Sequence, residues 1–283
     1  MSKLINRRNF FKIATGLAGS TLFGSLYSIK VEPYWLEIVE RTMPLKNLPR
    51  ELAGATLMQI SDIHIGDRFD MDFIIESFSL ASSLNPDFVV YTGDFITLER
   101  NKQLSKFEKM ASLFPRGKIA TSGVLGNHDY GLKWSDDKMA DLITSTLYSH
   151  DIRILRNEKF TIKGISFIGI DEYWGPNFNP AKALKNYSPQ EPTITLCHNP
   201  DVCDIPVWNN YSGWILSGHT HGGQVRPPFL PPPILPVKNK RYTSGEFKLD
   251  DNRFLYINRA LGTLWPVRFN VRPEITLFKL AEA

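Results

Sequence analysis

Five of the six histidines in this chain stand in short clusters of residue types that bind metals. In order these are Asp62-Ile63-His64, then Gly126-Asn127-His128-Asp129, then His198, then Gly218-His219-Thr220-His221. Gly93-Asp94 falls between the first two, and only His150 lies elsewhere. Imidazole is the commonest protein metal ligand, and carboxylate oxygen suits harder divalent ions. The inventory offers seven candidate ligands: Asp62, His64, Asp94, Asn127, His198, His219 and His221. Seven are too many for one tetrahedral ion and about right for two ions sharing a bridge.

These motifs need elements that bring them together. Short apolar runs at Ala55–Ser61, Asp87–Tyr91, Ile119–Leu125, Thr193–Cys197 and Gly213–Ser217 read as strands, and each ends at a motif. Helical spacing fills Phe73–Leu84, Leu104–Leu113 and Asp136–His150. Phe160–Lys163 and Ser166–Ile170 flank Gly164 as a hairpin, and Phe247–Leu249, Phe254–Asn258 and Glu274–Lys279 follow as antiparallel candidates. A βαβα half followed by a β-rich half predicts an α/β (α+β) fold of two packed mixed sheets flanked by helices. Open α/β sheets bind ligands where strands end. Residues i and i+2 of an extended segment share a face, which would place Asp62 beside His64 and His219 beside His221. An Asp94 carboxylate can bridge two ions, and an Asn127 amide oxygen can ligate without adding charge. Taken singly, Asp-x-His and Gly-Asp are ordinary turn sequences, and a lone His198 reads as a core histidine. It is the succession of five such pieces, each closing a strand, that argues for a metal site.

Charge separates the ends of the chain from its body. The net charge of +4 comes from Lys3, Arg7, Arg8 and Lys12; without them 29 basic residues face 29 acidic ones. A neutral body without a basic stripe argues against nucleic acid as a partner. Asn6-Arg7-Arg8-Asn9-Phe10-Phe11-Lys12 resembles a twin-arginine export motif, and an uncharged stretch rich in Gly, Ser and Thr follows to Ile29. Residues 1–29 therefore read as an export signal or membrane anchor, 30–54 as a connecting segment and 55–283 as the catalytic domain. The location expected is the inner membrane or its periplasmic, extracytoplasmic face. Cys197 and Cys203 are too few for a disulfide framework and read as buried thiols.

The order Asp-x-His, Gly-Asp, Gly-Asn-His-Asp, His, Gly-His-x-His resembles the calcineurin-like metallophosphoesterase superfamily across about Ala55 to Lys279. It is most similar to a bacterial membrane-associated branch that includes phosphodiesterases and a UDP-diacylglucosamine pyrophosphatase. Glu32-Pro33-Tyr34-Trp35, His198-Asn199-Pro200-Asp201 and Arg272-Pro273-Glu274 add to the likeness. The resemblance implies a four-layer sandwich and two divalent ions, Mn, Zn or Fe. One ion would be held by Asp62, His64, Asp94 and His221, the other by Asp94, Asn127, His198 and His219. It implies a bridging hydroxide as nucleophile, His128 as the catalytic acid and Asp129 as the partner that fixes its tautomer. Asp94-Phe95-Ile96-Thr97 lacks both the Asp-Arg-Gly of the protein phosphatases and the tyrosine of the purple acid phosphatases.

Arg226–Pro236, with six prolines after the first residue and Phe229, Leu230, Ile234 and Leu235 among them, reads as a stiff apolar loop. Beside a metal site it suits a lipid-linked phosphoester. The expected function is hydrolysis of a phosphodiester or pyrophosphate bond. The competing readings are a non-catalytic scaffold on the same fold and a nucleic-acid phosphodiesterase.

Overall fold

The structure is a computed structural model that describes residues 7–97, 102–208 and 210–283. Residues 1–6, which include the first residue of the expected twin-arginine motif, lie outside the described residues. Helix α1 (Arg7–Lys30) precedes strand β1 (Glu37–Leu45). Then come β2 (Thr56–Ile60), α2 (Met71–Ser83), β3 (Phe88–Thr92), α3 (Lys102–Ala111), β4 (Ala120–Val124), α4 (Asp137–Tyr148) and β5 (Arg153–Ile154). The second half holds β6 (Glu158–Ile162), β7 (Ile165–Gly169), α5 (Pro180–Leu184), β8 (Thr193–Leu196), β9 (Gly213–Ser217), β10 (Gly245–Lys248), β11 (Arg253–Ile257) and β12 (Glu274–Glu282).

Local chemistry sets these elements. Asp70 caps α2 by accepting the Asp72 amide, and Asp136 caps α4 by accepting the amides of Lys138 and Met139. Helix α2 buries Ile74, Phe78 and Ala81, and α4 buries Ala140, Ile143 and Leu147, each a stripe at helical spacing. The expected hairpin joins β6 to β7 antiparallel, turning through Lys163 (φ 50) and Gly164 (φ 79).

Two six-stranded sheets result, ordered β1-β12-β2-β3-β4-β5 and β10-β11-β9-β8-β7-β6. Strands β2 to β5 run parallel, as do β7, β8, β9 and β11. Alternate residues of β3 serve two layers. Phe88 and Val90 face the interior between the sheets with Phe167, Leu196, Trp214 and Phe278, while Val89 and Tyr91 meet the helices with Phe78 and Phe107. A third cluster, with Ile168, Ile215 and Trp208, covers the outer face of the second sheet. The molecule is therefore the sandwich of two mixed sheets with helices outside that the sequence predicts. Each large apolar side chain buried between the sheets contributes about 1.5–3 kcal/mol.

The chain departs from its sequence-based reading in two places. Residues 30–54 are more than a connection, because β1 lies within them and pairs in parallel with β12 at the sheet edge. Pro44 fits there because an edge strand can spare one donor. The last three strands also part company. Only β10 and β11 pair antiparallel with each other; β11 joins β9 in parallel, and β12 crosses back to lie antiparallel to β2.

Candidate metal centre

The motifs gather at the C-terminal ends of the parallel strands of both sheets. Asp62 and His64 follow β2, Asp94 follows β3, and Asn127 and His128 follow β4. From the second sheet, His198 follows β8, and His219 and His221 follow β9. The loops are laddered together. The Asp62 amide donates to Gly93 O (2.9 Å) and the His64 amide to Asp94 O (3.0 Å). Across the sandwich the His219 amide donates to both carboxylate oxygens of Asp62, at 3.1 Å each.

Glycine makes this approach feasible. A Cβ on Gly93 (φ 90) would lie 2.6 Å from Gly126 N and 2.7 Å from His198 Nδ1. A Cβ on Gly218 would overlap Ser61 Oγ and Asp62 Oδ2, so the sheets could not close.

Strand alternation, however, is not what pairs Asp62 with His64. Asp62 (φ 51), His64 (φ 53), Asp94 (φ 54), His219 (φ 68) and His221 (φ 51) all occupy the left-handed region. Their side chains converge through tight turns rather than extended backbone. Each such residue costs about 1–2 kcal/mol, and strain of this kind concentrates at functional sites.

Three trios of ligand atoms form, Asp62/His64/His221, Asp94/His198/His219 and His64/Asp94/His128, each with its atoms within 4.8 Å of one another. In the first, His64 Nε2 lies 3.0 Å from His221 Nε2, which lies 3.2 Å from Asp62 Oδ1. In the second, His198 Nε2 lies 3.1 Å from His219 Nδ1 and 3.2 Å from Asp94 Oδ2. The same Asp94 Oδ2 is 3.7 Å from His64 Nε2, between the trios. Asn127 Oδ1 is buried with no hydrogen-bond partner among the described residues.

Tautomers explain why this set fits a cation. His198 Nδ1 lies 2.7 Å from Thr92 O, and His219 Nε2 lies 2.8 Å from Pro236 O. A carbonyl only accepts, so each ring carries its proton on that nitrogen. With both rings neutral, the other nitrogens, His198 Nε2 and His219 Nδ1, face each other and Asp94 Oδ2 as three acceptors with no donor between them. A divalent ion would satisfy all three. The titration of the group agrees. Burial and the neighbouring His198 charge depress His219 to about 3, and burial keeps His64 well below the usual imidazole range. Burial opposes ionisation of Asp62, but the charges of His221 and His198 hold it down at about 2. Against its burial, His198 is raised by Asp94 and Asp62. The two buried carboxylates thus draw positive charge onto His198, while burial disfavours it on His64 and His219.

Six of the seven expected ligands therefore meet, and the seventh, Asn127, lines the same cleft as Asp94. His128 enters only the third trio, beside His64 and Asp94, and lines the cleft. Its backbone amide donates to Asp94 Oδ1 (2.9 Å), and its ring lies edge-on to His64 with centroids 5.2 Å apart. Asp129 has a different task from the one expected. Its oxygens accept the backbone amides of Phe95 (2.9 Å), Ile96 (3.2 Å) and Gly126 (2.8 Å), not the His128 ring. It clamps the loop carrying Asp94 onto the loop carrying Asn127. In Gly-Asn-His-Asp, an aspartate three residues after a glycine at a 3-10 turn carries the signal for that capping role.

The centre opens into a cleft of about 430 Å³. Asp94, Asn127, His128, His219 and His221 form its polar end, and Trp134, Trp174, Ile234, Leu264 and Trp265 its apolar walls. Sequence reasoning missed the two tryptophans. They stack on each other with centroids 5.2 Å apart, and Trp174 meets the His219 ring at 4.6 Å. The proline-rich loop supplies Ile234, while Pro232 packs on Gly223 and Pro236 O holds His219. Its tip is bare: Phe229 is fully exposed and Leu230 is 65% exposed.

Comparison with known proteins places this geometry. Residues 55–223 match the calcineurin-like phosphoesterase family. The chain is 28% identical to phosphodiesterase YaeI of Escherichia coli (98% of this chain, 100% of the relative). It is 30% identical to the metallophosphoesterase YkuE of Bacillus subtilis, over 98% of both chains. It is 26% identical to the UDP-2,3-diacylglucosamine pyrophosphatase LpxG of Chlamydia muridarum (94% of this chain, 95% of the relative). With its ligands gathered at the strand ends of a two-sheet sandwich, the chain belongs to the calcineurin-like phosphoesterase family.

Proposed function

We propose that this protein is a two-metal hydrolase that cleaves a phosphodiester or pyrophosphate bond in a lipid-linked substrate, of the kind represented by UDP-diacylglucosamine. The observation that carries the reading is the pair of donor trios at the polar end of an apolar cleft, with Asp94 of one trio 3.7 Å from His64 of the other. Asp62, His64, Asp94 and His221 would hold one ion, and Asp94, Asn127, His198 and His219 the other. When bound, such ions polarise phosphoryl oxygens and lower the pKa of a bound water to about 7. Mn, Zn and Fe all suit this mixture of imidazole and oxygen donors.

The chain's own residues do the rest. His128 faces the cleft, held by its backbone amide on Asp94, and is placed to donate a proton to the leaving oxygen. Asp129 keeps Asp94 and Asn127 in register by clamping their loops. The tryptophan walls exclude water and give an apolar substituent somewhere to lie.

The exposed Phe229, Leu230, Ile234 and Trp265 support a substrate held at a lipid surface, and the acid-free N-terminal segment supports twin-arginine export to the extracytoplasmic membrane face. Among the described residues no helix is long and apolar enough to cross a membrane. The end of α1 packs on the body, where the Arg268 amide donates to Ser28 O (2.9 Å) and the Tyr27 ring meets Phe269. That contact lies beside the cleft residues Trp265 and Val267. A scaffold without activity is disfavoured because every ligand and His128 are present.

The test uses the full chain, reconstituted with Mn²⁺ and assayed on a small chromogenic phosphodiester. Asp94→Asn is expected to lose both turnover and bound metal. His128→Ala is expected to lose turnover and keep its metal. Undiminished hydrolysis by both variants would overturn the assignment.

A further inference from the structure

Glu172 is a buried carboxylic acid that the reading above leaves without a task. It stands three residues beyond the end of β7, whose Gly169 pairs with Leu196 of β8, two residues before His198. It is 1% exposed and does not line the cleft. Its Oε1 accepts the Trp174 amide at 3.1 Å, which fixes the tryptophan that leans on His219. Its Oε2 is buried and has no hydrogen-bond partner among the described residues. A buried carboxylate oxygen with no donor calls for positive charge nearby.

The cation that pairs with the adjacent Asp171 is already engaged. The Arg156 guanidinium donates to Asp171 Oδ2 (3.1 Å) and to Asp141 Oδ1 (2.5 Å). The remaining charged groups that act on Glu172 are His198, which attracts it, and Asp94 and Asp171, which repel it. Two of these three belong to the second ligand trio. Burial raises its pKa to about 7, and the His198 charge opposes the rise. The carboxyl group therefore stands beside the strand that delivers His198 and, through Trp174, against His219.

We infer that Glu172 is a positioning residue for the second metal position: its negative charge behind His198 strengthens the hold of Asp94, Asn127, His198 and His219 on a divalent cation. Through Oε1 the same side chain keeps Trp174 against His219, so cation affinity and the aromatic wall share one support. The inference rests on the two-metal reading and adds to it an eighth residue outside the five motifs.

Glu172→Gln separates the two roles, because the amide oxygen still accepts the Trp174 amide while the charge is gone. The full chain, stripped with a chelator, is titrated with Mn²⁺ by calorimetry, and bound metal is counted by mass spectrometry. The wild type is expected to bind two Mn²⁺. Glu172→Gln is expected to bind the weaker of the two about 10–100-fold less tightly, with the other unchanged and tryptophan fluorescence preserved. Glu172→Asp keeps the charge and is expected to recover most of that affinity, which also covers the case in which the Gln variant folds poorly. Wild-type affinity for both ions in Glu172→Gln, or an Asp variant no better than Gln, would overturn the inference and leave the two-metal reading standing. A wild type that binds fewer than two Mn²⁺ would overturn that reading, and this inference with it.

Discussion

Gly93→Ala tests whether close approach, rather than ligand identity alone, makes this site. Gly93 has φ 90, a conformation that costs an alanine about 1–2 kcal/mol. The added Cβ would also stand 2.6 Å from Gly126 N, 2.8 Å from Gly126 Cα and 2.7 Å from His198 Nδ1. None of these neighbours is free to yield. Gly126 N donates to Asp129 Oδ2 at 2.8 Å, and His198 Nδ1 is bound to Thr92 O at 2.7 Å. Forcing a methyl group into a packed, pinned site costs about 1–3 kcal/mol. The total expected is about 2–5 kcal/mol, accompanied by displacement of His198 and weaker metal binding. Gly245→Ala is the matched control. Gly245 has φ 85, but its Cβ would meet nothing within 4 Å, so only the backbone term of about 1–2 kcal/mol applies. Urea unfolding of both variants gives the free energies, and mass spectrometry gives bound metal per chain. Equal losses of stability in the two variants, with metal content intact in both, would refute the close-approach argument.

Two further outcomes follow from particular contacts. Phe229→Ser with Leu230→Ser is expected to lower turnover of a lipid-linked phosphoester dispersed in vesicles and to spare a small chromogenic diester; equal losses on both substrates would count against a lipid-contacting tip. Asp87 ties β2 to β3: its Oδ2 accepts the Thr56 amide (2.8 Å) and hydroxyl (3.0 Å), and Lys118 pairs with Oδ1 (2.8 Å). Burial opposes its ionisation, but the bonds from Lys118 and Thr56 prevail and hold its pKa below the ordinary 3.8. A depressed folded-state pKa stabilises the fold above the unfolded-state value, and that stability is lost as pH falls through the folded-state one. Asp87→Ala is therefore expected to cost about 1–2 kcal/mol at pH 7 and to lose less additional stability than wild type on acidification below about pH 4. Parallel pH curves for the two proteins would contradict this linkage.

What could be read from the residues, and what could not, follows from the range of the interactions involved. The ligands were legible because histidine, aspartate and asparagine recur beside glycines at the ends of apolar runs, and strand, turn and ligand are all local signals. The helices α2 and α4 were legible for the same reason, through Ile74, Phe78 and Ala81 or Ala140, Ile143 and Leu147. Strand β1 was not. Its sequence mixes Glu37, Glu40, Arg41 and Thr42 with Val39 and Met43, because one face of an edge strand meets solvent. Its partner β12 lies at the opposite end of the chain, where Glu37 pairs with Glu274. The role of Asp129 was misread because adjacency to His128 in sequence says nothing of side-chain direction; its carboxylate turns back to the amides of Phe95, Ile96 and Gly126. Trp134, Trp174 and Glu172 carried no signal at all, since each matters only through what lies across from it in the folded sandwich.

That distinction bears on how the site holds together. Asp62, His64, Asp94 and Asn127 come from the first sheet, and His198, His219 and His221 from the second. Neither sheet alone has a complete trio of the kind that contains His221 or His198. The centre exists only when the sheets close, which Gly218 permits, the Asp62–His219 bonds fasten and Gln59 secures by donating to Thr92 Oγ1 and Ser217 O (3.0 Å each). Closing them gathers two carboxylates and four ring nitrogens into a buried space and holds five ligand residues in left-handed backbone. Both effects oppose folding, and bound cations would relieve the first directly by satisfying the facing lone pairs. Ligand binding to the folded state alone adds stability through mass action, about 2.7 kcal/mol when free ligand is 100 times its dissociation constant. The strained turns and the cation are then parts of one equilibrium: the fold presents an electron-rich centre that it holds best when that centre is filled.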